Sequence, residues 1–213
     1  MIYRCLSIEA PDRAFLALPE RYQAGFLDTE SIWRYARDPA NDLDEESVRH
    51  ALAANDECFA IRDGQTLAAY GWYSRAGYFH VSNTLRLHFD PAWAYMYRGF
   101  TNPAYRGQRL HALGMTMALA AYRARGCKGF VSVVESWNDA SMKSCFRMGY
   151  SEFGTIYEVR VGRLFGISKP KSAVLRRHLV FHTPGCHRFG FWLEALKPGP
   201  TWRHQLSSAA AGR

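Results

Sequence analysis

Residues 100–111 read FTNPAYRGQRLH and join the two most strongly patterned segments of the chain. The segment Trp93–Thr101, which overlaps the start of this stretch, has the composition of a β-strand, and Asn102-Pro103 ends that strand. The residues after them, Leu110–Ala124, repeat apolar side chains at helical spacing and predict the strongest helix of the sequence. The quoted stretch is therefore predicted to be a loop that leads from a strand directly into a long helix.

The start of this predicted helix has the features of an anion site. The first N–H groups of a helix have no partner within the helix, and they lie at the positive end of its dipole. Gly107 gives the loop conformational freedom, and Arg106 and Arg109 add two positive charges. Such a helix start suits a diphosphate. On spacing alone, an ordinary strand-to-helix turn is the simpler interpretation.

A second strand, loop and helix follow in the sequence. Phe130–Glu135 is a continuous apolar run of the kind that forms a buried central strand. Residues 138–150 then read NDASMKSCFRMGY. They predict a short helix around Ala140–Met148 that ends at Gly149. Gly126 is expected to end the long helix before them. This alternation of strands and helices predicts a mixed α/β domain.

The two segments, in this order and at this spacing, resemble the motifs of the GNAT N-acetyltransferase superfamily. Members carry V-x-P-x-x-R-G-x-G-x-G/A after the fourth strand, and later an N-x-x-A/S helix that ends in K-x-G-F. The resemblance covers roughly residues 58–165. It implies an α/β (α+β) fold with one mixed, splayed β-sheet flanked by helices. It also implies acetyl-CoA as a co-substrate, bound without a metal in the cleft where two parallel strands separate.

The resemblance implies a role for each matching position of the two motifs. The main chain of one segment would hold the pantetheine arm, backbone N–H groups would hold the diphosphate, and the second helix would start near the acetyl group. In this sequence these positions are Phe100 and Thr101 for pantetheine; Arg106, Gly107, Gln108, Arg109, Leu110 and His111 for the diphosphate; and Asn138 with Ser141 at the second helix.

The chemistry that the resemblance implies is direct attack of an amine on the thioester in a ternary complex, without an acyl-enzyme. The protein then positions the reactants, removes a proton from the amine and protonates the leaving thiolate. The family often has a glutamate base on the strand before the loop, but residues 95–98 contain no carboxylate. Glu135 is the nearest substitute, and a solvent-facing strand end is its alternative role. His80, His88 and a water relay are further candidates for the base.

Three positions depart from the family pattern. Arg109 and His111 stand where the loop usually has small residues, which let the backbone approach phosphate. Arg109 then either replaces backbone room with a side-chain contact or weakens the site. Cys145 stands where many members have a tyrosine general acid. Its thiol either protonates the leaving thiolate or is a small buried apolar group.

Charge is distributed unevenly along the chain. Residues 1–63 have a net charge of −6, residues 64–213 have +14, and residues 159–193 contain no acidic side chain. A basic half suggests an anionic partner, and a polyanionic acyl-CoA accounts for part of the charge. A basic module that binds nucleic acid is the alternative, but no nucleic-acid motif supports it. We therefore expect a small-molecule amine and acyl-CoA as partners, and no nucleic acid.

The donor and the compartment are only partly constrained. A longer acyl chain would need a wider apolar channel, and the many aromatic residues at 72–97 are compatible with either a channel or a core.

The five cysteines are scattered and form no C-x-x-C pair, which argues against disulfides and a zinc ribbon. The His182–His187 segment is better explained as a turn than as a metal site. The chain shows no signal peptide and no membrane span, so we expect a cytoplasmic protein.

We predict one GNAT-like acyltransferase domain over residues 1–204, with core motifs at 93–161, a helical acceptor-side segment at 1–57, and a disordered tail at 205–213. The oligomeric state is left open, a homodimer included. The acceptor-side helices are expected at Asp28–Asp38 and Leu43–Asn55, with Asp42 as N-cap of the second. The acids in the first turn of this second helix are Asp44, Glu45 and Glu46, and binding of an amine substrate is their alternative role. The other expected strands are 1–8, Cys58–Arg62, Thr66–Tyr73, 79–88, Thr155–Val161 and Arg188–Leu193, with a loop between the last two.

Overall fold

The fold is taken from a computed structural model of the chain. It describes residues 1–82, 85–161, 164–170, 180–182 and 192–195, with side chains for 1–81 and 86–157. The strands are β1 Ile2–Ile8, β2 Tyr22–Phe26, β3 Glu57–Asp63, β4 Thr66–Ser74, β5 Tyr78–Ser82, β6 Leu85–His88, β7 Ala94–Thr101, β8 Phe130–Glu135, β9 Ser151–Val161, β10 Leu164–Pro170, β11 Val180–His182 and β12 Trp192–Ala195. The α-helices are α1 Thr29–Ala36, α2 Glu45–Ala53, α3 Leu110–Ala124 and α4 Asp139–Arg147.

An eight-stranded sheet forms the centre of the molecule, in the order β10-β9-β1-β8-β7-β4-β3-β2. Strands β7 and β8 are parallel, and the other neighbouring pairs described in this sheet are antiparallel. The parallel pair is joined through α3, which is the crossover that parallel strands require. The sequence prediction of a mixed sheet flanked by helices is confirmed.

One face of this sheet packs against α3 and α4. These helices contribute Leu110, Met115, Leu119 and Tyr122 from α3 and Met142 and Cys145 from α4, all of them buried. Tyr73, Met96 and Phe130 meet them from the sheet. Burial of this apolar surface removes it from water and fixes α3 against β3, β4 and β7.

The opposite face of the sheet is covered in two parts. Helices α1 and α2 bury Ile32, Tyr35 and Val48 against β3 and β4. A second sheet, in the order β11-β12-β6-β5, covers the other half through Val81 and Leu87. Tyr97 of β7 lies against both parts, so this strand runs along the line where they meet.

Several sequence predictions need correction in detail. Asp44, not Asp42, caps α2: its Oδ1 accepts from the N–H of Ser47 at 2.8 Å, while Asp42, two residues earlier, adopts a left-handed conformation. The strand β2 was not predicted, and β10 and β11 lie in a stretch that we expected to be a loop. The segment His182–His187, which we expected to be a turn, lies outside the described residues from position 183 onward, as do most of the predicted strand Arg188–Leu193 and the whole tail 205–213.

Two further predictions concern features of the whole chain. Within the described part, no helix combines the length and apolarity that a bilayer crossing needs. The described cysteines, Cys5, Cys58, Cys127 and Cys145, are all free and buried. The predicted domain bounds, 1–204 with a tail at 205–213, stay a prediction.

Candidate active site

The parallel strands β7 and β8 pair only at their first residues. Ala94 is opposite Phe130 and Tyr95 is opposite Val131, and no later pair is formed between the described residues of these strands. Beyond Tyr95 the two strands separate, and β7 keeps its antiparallel partner β4 on the other side. Helices α3 and α4 start from the carboxyl ends of these strands, where open sheets bind ligands. The gap is therefore the candidate cleft.

The loop before α3 is held rigidly on one side of the cleft. Asn102 caps a short 3-10 helix at Pro103–Tyr105. The hydroxyl of Tyr105 donates to Asp63 Oδ2 at 3.1 Å, and that of Tyr22 donates to Gln108 Oε1 at 2.5 Å. Asp63 belongs to β3 and Tyr22 to the neighbouring strand β2, so the loop is fixed to this edge of the sheet.

Gly107 is the one position of this loop where the backbone itself requires glycine. Its φ is +80°, a left-handed conformation that favours residues without a Cβ. No atom lies within 4 Å of the place where a Cβ would stand. The surface at Gly107 is therefore open, and a ligand has room to approach the main chain there.

The N-terminus of α3 has no side-chain cap, so its first N–H groups face the loop without an acceptor from Arg109. No acidic residue lies in the first turn. Arg106 and Arg109 are exposed, and within the described residues neither makes an ion pair. Free N–H groups, the dipole and two unpaired cations together favour an anion at this point.

Strand β7 contains a β-bulge beside the cleft. Tyr70 of β4 is opposite Phe100, but Trp72 is opposite Tyr97, so β7 has one more residue than its partner between these pairs. Arg98 within the bulge has a φ of +46°, which is uncommon for a residue with a side chain. The bulge interrupts the ladder with β4 next to the stretch of β7 that has no described partner in β8.

The side chain of Arg98 lies on the face of the sheet that α1 and α2 cover. Its Nη2 donates to the carbonyl oxygen of Asp42 at 2.7 Å and to Oδ2 of Asp44 at 2.8 Å, and only 14% of the side chain is exposed. Burial opposes ionisation of Asp44, but hydrogen bonds from Ser47 and Arg98 prevail and lower the pKa of Asp44 to about 2. Asp44, one of the acids that the sequence offered as an amine site, is thus engaged by the helix and by Arg98.

His111 lies on the α3 face of the bulge. A Cβ placed on Gly99 would stand 2.1 Å from Cε1 of His111, 2.9 Å from Nδ1 and 3.0 Å from Nε2. Gly99 is thus needed because the imidazole occupies the space of its side chain. Burial lowers the pKa of His111 to about 4. The small cavity beside the ring is lined by Phe59, Ala69, Tyr70, Gly71, Tyr73, Leu110, His111, Gly114 and Met115.

The other wall of the cleft carries Glu135 and the start of α4. Glu135 ends β8 opposite Tyr3, and strand alternation places its side chain on the face that the second sheet covers. Asn138 caps α4, because its Oδ1 accepts from the N–H of Ser141 at 3.1 Å. Glu135 and His111 therefore approach the cleft from opposite faces of the sheet.

Cys145 lies in the core and not on the cleft surface. Its side chain is 6% exposed, and burial raises its pKa to about 12. A thiol held in its neutral form among Met142, Met148 and Tyr150 has the surroundings of a packing residue. Of the two roles that the sequence left open, burial favours the apolar one.

One buried polar pair was not predicted from the sequence. The hydroxyl of Tyr97 donates to Oδ2 of Asp56 at 2.6 Å, and Asp56 is 9% exposed. Burial raises the pKa of Asp56. Asp56 lies between α2 and β3, so the sequence alone indicates only a turn residue.

The fallback bases His80 and His88 lie on β5 and β6 of the second sheet. The described residues contain no cluster of potential metal ligands.

Comparison with known proteins agrees with this geometry. A model described as the acetyltransferase (GNAT) family matches residues 24–150. The chain belongs to the GNAT acetyltransferase family. The match includes the predicted resemblance from residue 58 to residue 150 and extends it over α1 and α2, which the sequence motifs did not cover. No curated protein matches the chain.

Solved GNAT-type structures share the fold at low sequence identity. A GCN5-related N-acetyltransferase-like protein from Streptococcus suis is 13% identical, with a TM-score of 0.51 over 73% of this chain and 59% of that one. A GNAT-family acetyltransferase from Colwellia psychrerythraea is 14% identical, with a TM-score of 0.50 over 71% and 52%. An aminoglycoside N-acetyltransferase in complex with CoA is 15% identical, with a TM-score of 0.50 over 68% and 99%. The chain thus spans about half to three fifths of the first two neighbours.

Proposed function

We propose that the protein transfers an acetyl group from acetyl-CoA to the amine of a small molecule, by direct attack in a ternary complex. The observation that carries the proposal is the uncapped start of α3 at the point where β7 and β8 separate. Exposed Arg106 and Arg109 and open Gly107 stand at the same place. This combination fits a diphosphate that is joined to an extended arm lying in the gap.

Each residue of the site receives a role in this proposal. The N–H groups of residues 106–110 hold the diphosphate, and the main chain of Phe100 and Thr101 pairs with the pantetheine arm. Those two residues follow the bulge in β7 and have no described pairing with β8, which supports this role. Asn138 and Ser141 line the opposite side through the start of α4.

Glu135 is the proposed base for the amine. It ends the strand on the far side of the gap and is partly exposed. Its carboxylate would accept the proton that the attacking amine loses, which requires the carboxylate to reach that amine. Proton transfer through a water molecule is the alternative, and a Glu135→Gln variant with full turnover would remove the carboxylate from the mechanism.

A transfer screen tests the proposal. Acetyl-CoA is incubated with the protein and with separate amines, amino acids, polyamines and aminoglycosides, and the release of free CoA thiol is followed. We expect release that depends on one class of amine and disappears in Gly107→Glu, which adds bulk and negative charge at the diphosphate site. No amine-dependent release with any class, together with no binding of acetyl-CoA, would refute the proposal.

A further inference from the structure

The strongest unassigned feature of the site is the contact between His111 and Gly99. Both ring nitrogens of His111 lie within 3.0 Å of the position that a Cβ of residue 99 would occupy. Gly99 lies in the bulge, on the strand edge that has no partner in β8. A side-chain nitrogen is therefore held directly over the exposed main chain at the cleft.

The position of this ring is fixed by its helix. Leu110 and Met115, on either side of His111 along α3, are 1% and 3% exposed and anchor the first turn in the core. Gly99 removes the one obstacle on the strand side. A ring that is held by packing from both elements needs no reorganisation when a ligand arrives, which is the condition for an effective electrostatic group.

The surroundings keep the imidazole neutral. The cavity wall next to the ring consists of apolar residues, two glycines and the titratable Tyr70 and Tyr73 of β4, whose pKa values are raised by burial. No carboxylate or cation is found among the described residues that line the cavity. A neutral imidazole always carries one N–H, so it can donate a hydrogen bond at any ordinary pH.

We propose that His111 is a catalytic residue whose ring N–H donates a hydrogen bond to the thioester carbonyl oxygen of the acyl donor at the bulge of β7. This inference rests on the proposed function. When the amine nitrogen bonds to the carbonyl carbon, the C=O electron pair moves onto oxygen, and His111 stabilises that negative charge. When C=O reforms, the C–S bond breaks, CoA leaves as the thiolate, and the amine proton goes to Glu135.

Three variants of His111 separate hydrogen bonding from packing. His111→Gln keeps an N–H donor, while His111→Leu keeps bulk without a donor. His111→Ala removes both. Loss of one donor to a developing oxyanion lowers kcat by about 100-fold or more, so we expect that loss in His111→Leu and His111→Ala and less than about a tenfold loss in His111→Gln. His50→Gln, at an exposed position on α2, is the matched control.

A spectroscopic measurement adds a readout that a packing role would not change. The carbonyl stretch of carbon-13-labelled acetyl-CoA is compared between the free and bound states. We expect the stretch to move to lower frequency in the wild type and in His111→Gln, and to return toward the free value in His111→Leu. Equal kcat in His111→Leu and His111→Gln, or an unchanged stretch on binding, would overturn the proposal. Failure of the wild type to bind acetyl-CoA would instead refute the proposed function.

The contact with Gly99 supplies a second test that does not change the donor itself. Gly99→Ala forces the ring away, because the new Cβ would lie 2.1 Å from Cε1. We expect Gly99→Ala to lower kcat strongly in the wild type and only slightly in the His111→Ala background. Equal losses in both backgrounds would contradict a role for the imidazole at this position.

Discussion

Arg98 donates a hydrogen bond from Nη2 to Oδ2 of Asp44 at 2.8 Å, and so joins the bulge of β7 to the N-cap of α2. The same guanidinium binds the carbonyl oxygen of Asp42 at 2.7 Å. A non-glycine residue with positive φ is strained, and such strain persists only where neighbouring groups enforce it. The two contacts enforce it here, and they couple the helices on one face of the sheet to the strand that borders the cleft.

Replacement of Arg98 is expected to reduce the stability of the fold. Arg98→Met removes two charge-assisted hydrogen bonds from a mostly buried side chain, which should lower the free energy of unfolding by about 2–3 kcal/mol. Arg98→Lys retains the charge but lacks the planar fork, so its loss should be smaller. Urea unfolding measures the free energy of unfolding of both variants.

Arg49 provides the control for this series. It is 64% exposed and pairs with Glu45 at 3.8 Å on the surface of α2. Exposed pairs of this kind contribute less than about 1 kcal/mol, so Arg49→Met should leave stability nearly unchanged. Equal losses in Arg98→Met and Arg49→Met would show that the bulge does not depend on the Arg98 contacts.

The side chain of Arg109 is expected to lower the stability of the fold and to strengthen ligand binding. It sits before α3 with a φ of +60°, where a residue with a Cβ is disfavoured by about 1 kcal/mol or more. Arg109→Gly should therefore raise the free energy of unfolding by about 1 kcal/mol and weaken acetyl-CoA binding, because a cation at the diphosphate site is lost. Thermal unfolding and calorimetric titration separate the two effects.

Arg109→Ala is the matched variant, since it removes the same charge but keeps the Cβ. We expect it to weaken acetyl-CoA binding as much as Arg109→Gly does, without the gain in stability. If Arg109→Gly binds acetyl-CoA as tightly as the wild type, the side chain has no part in the site.

His111 is expected to make stability depend on pH. Its pKa is about 4 in the fold, below the ordinary value of 6.5. Between these pH values the unfolded chain binds a proton at this residue and the native state does not, so stability falls as the pH decreases from 6.5 to 4. His111→Gln should lose stability less steeply than the wild type over this window, in urea unfolding at pH 7 and pH 5. An identical slope for both proteins would mean that His111 is not buried in its neutral form.

Cys145 is expected to contribute packing and not proton transfer. Cys145→Ala should lower the free energy of unfolding by about 1 kcal/mol through the space it leaves, while kcat stays within about threefold of the wild type. A steady-state assay with acetyl-CoA provides the comparison. A large fall in kcat with unchanged acetyl-CoA binding would assign the thiol to the chemistry after all.

Local patterns were sufficient for much of this fold. The apolar run of β8 and the helical spacing of α3 depend only on near neighbours, and both elements are found with nearly the predicted bounds. The loop between β7 and α3 was recognisable because Asn102-Pro103 and Gly107 have strong backbone preferences. The helix cap was misassigned by two residues, since Asp42 and Asp44 offer the same side chain and only the backbone decides between them.

Features that depend on distant pairs were not predictable. The register of β4 against β7 creates the bulge at Arg98, and nothing in residues 94–101 alone indicates an extra residue. The contact of His111 with Gly99 joins a helix to a strand across the loop. From the sequence alone, His111 was recognisable only as a departure from the small residue that the family usually has at this position. Strand β2 escaped prediction because Tyr22–Phe26 contains Gly25 and only the β3 pairing defines it.

Thermal unfolding in the presence of acetyl-CoA tests the central claim most directly. A ligand that binds only the native state at 100 times its Kd stabilises it by about 2.7 kcal/mol, which raises Tm by about 5–10 °C in a domain of this size. Gly107→Glu should abolish the shift, while Gly64→Glu, at another open glycine with positive φ in the β3–β4 turn, should retain it. An unchanged Tm of the wild type at that concentration would contradict the assignment of an acyl-CoA site at the start of α3.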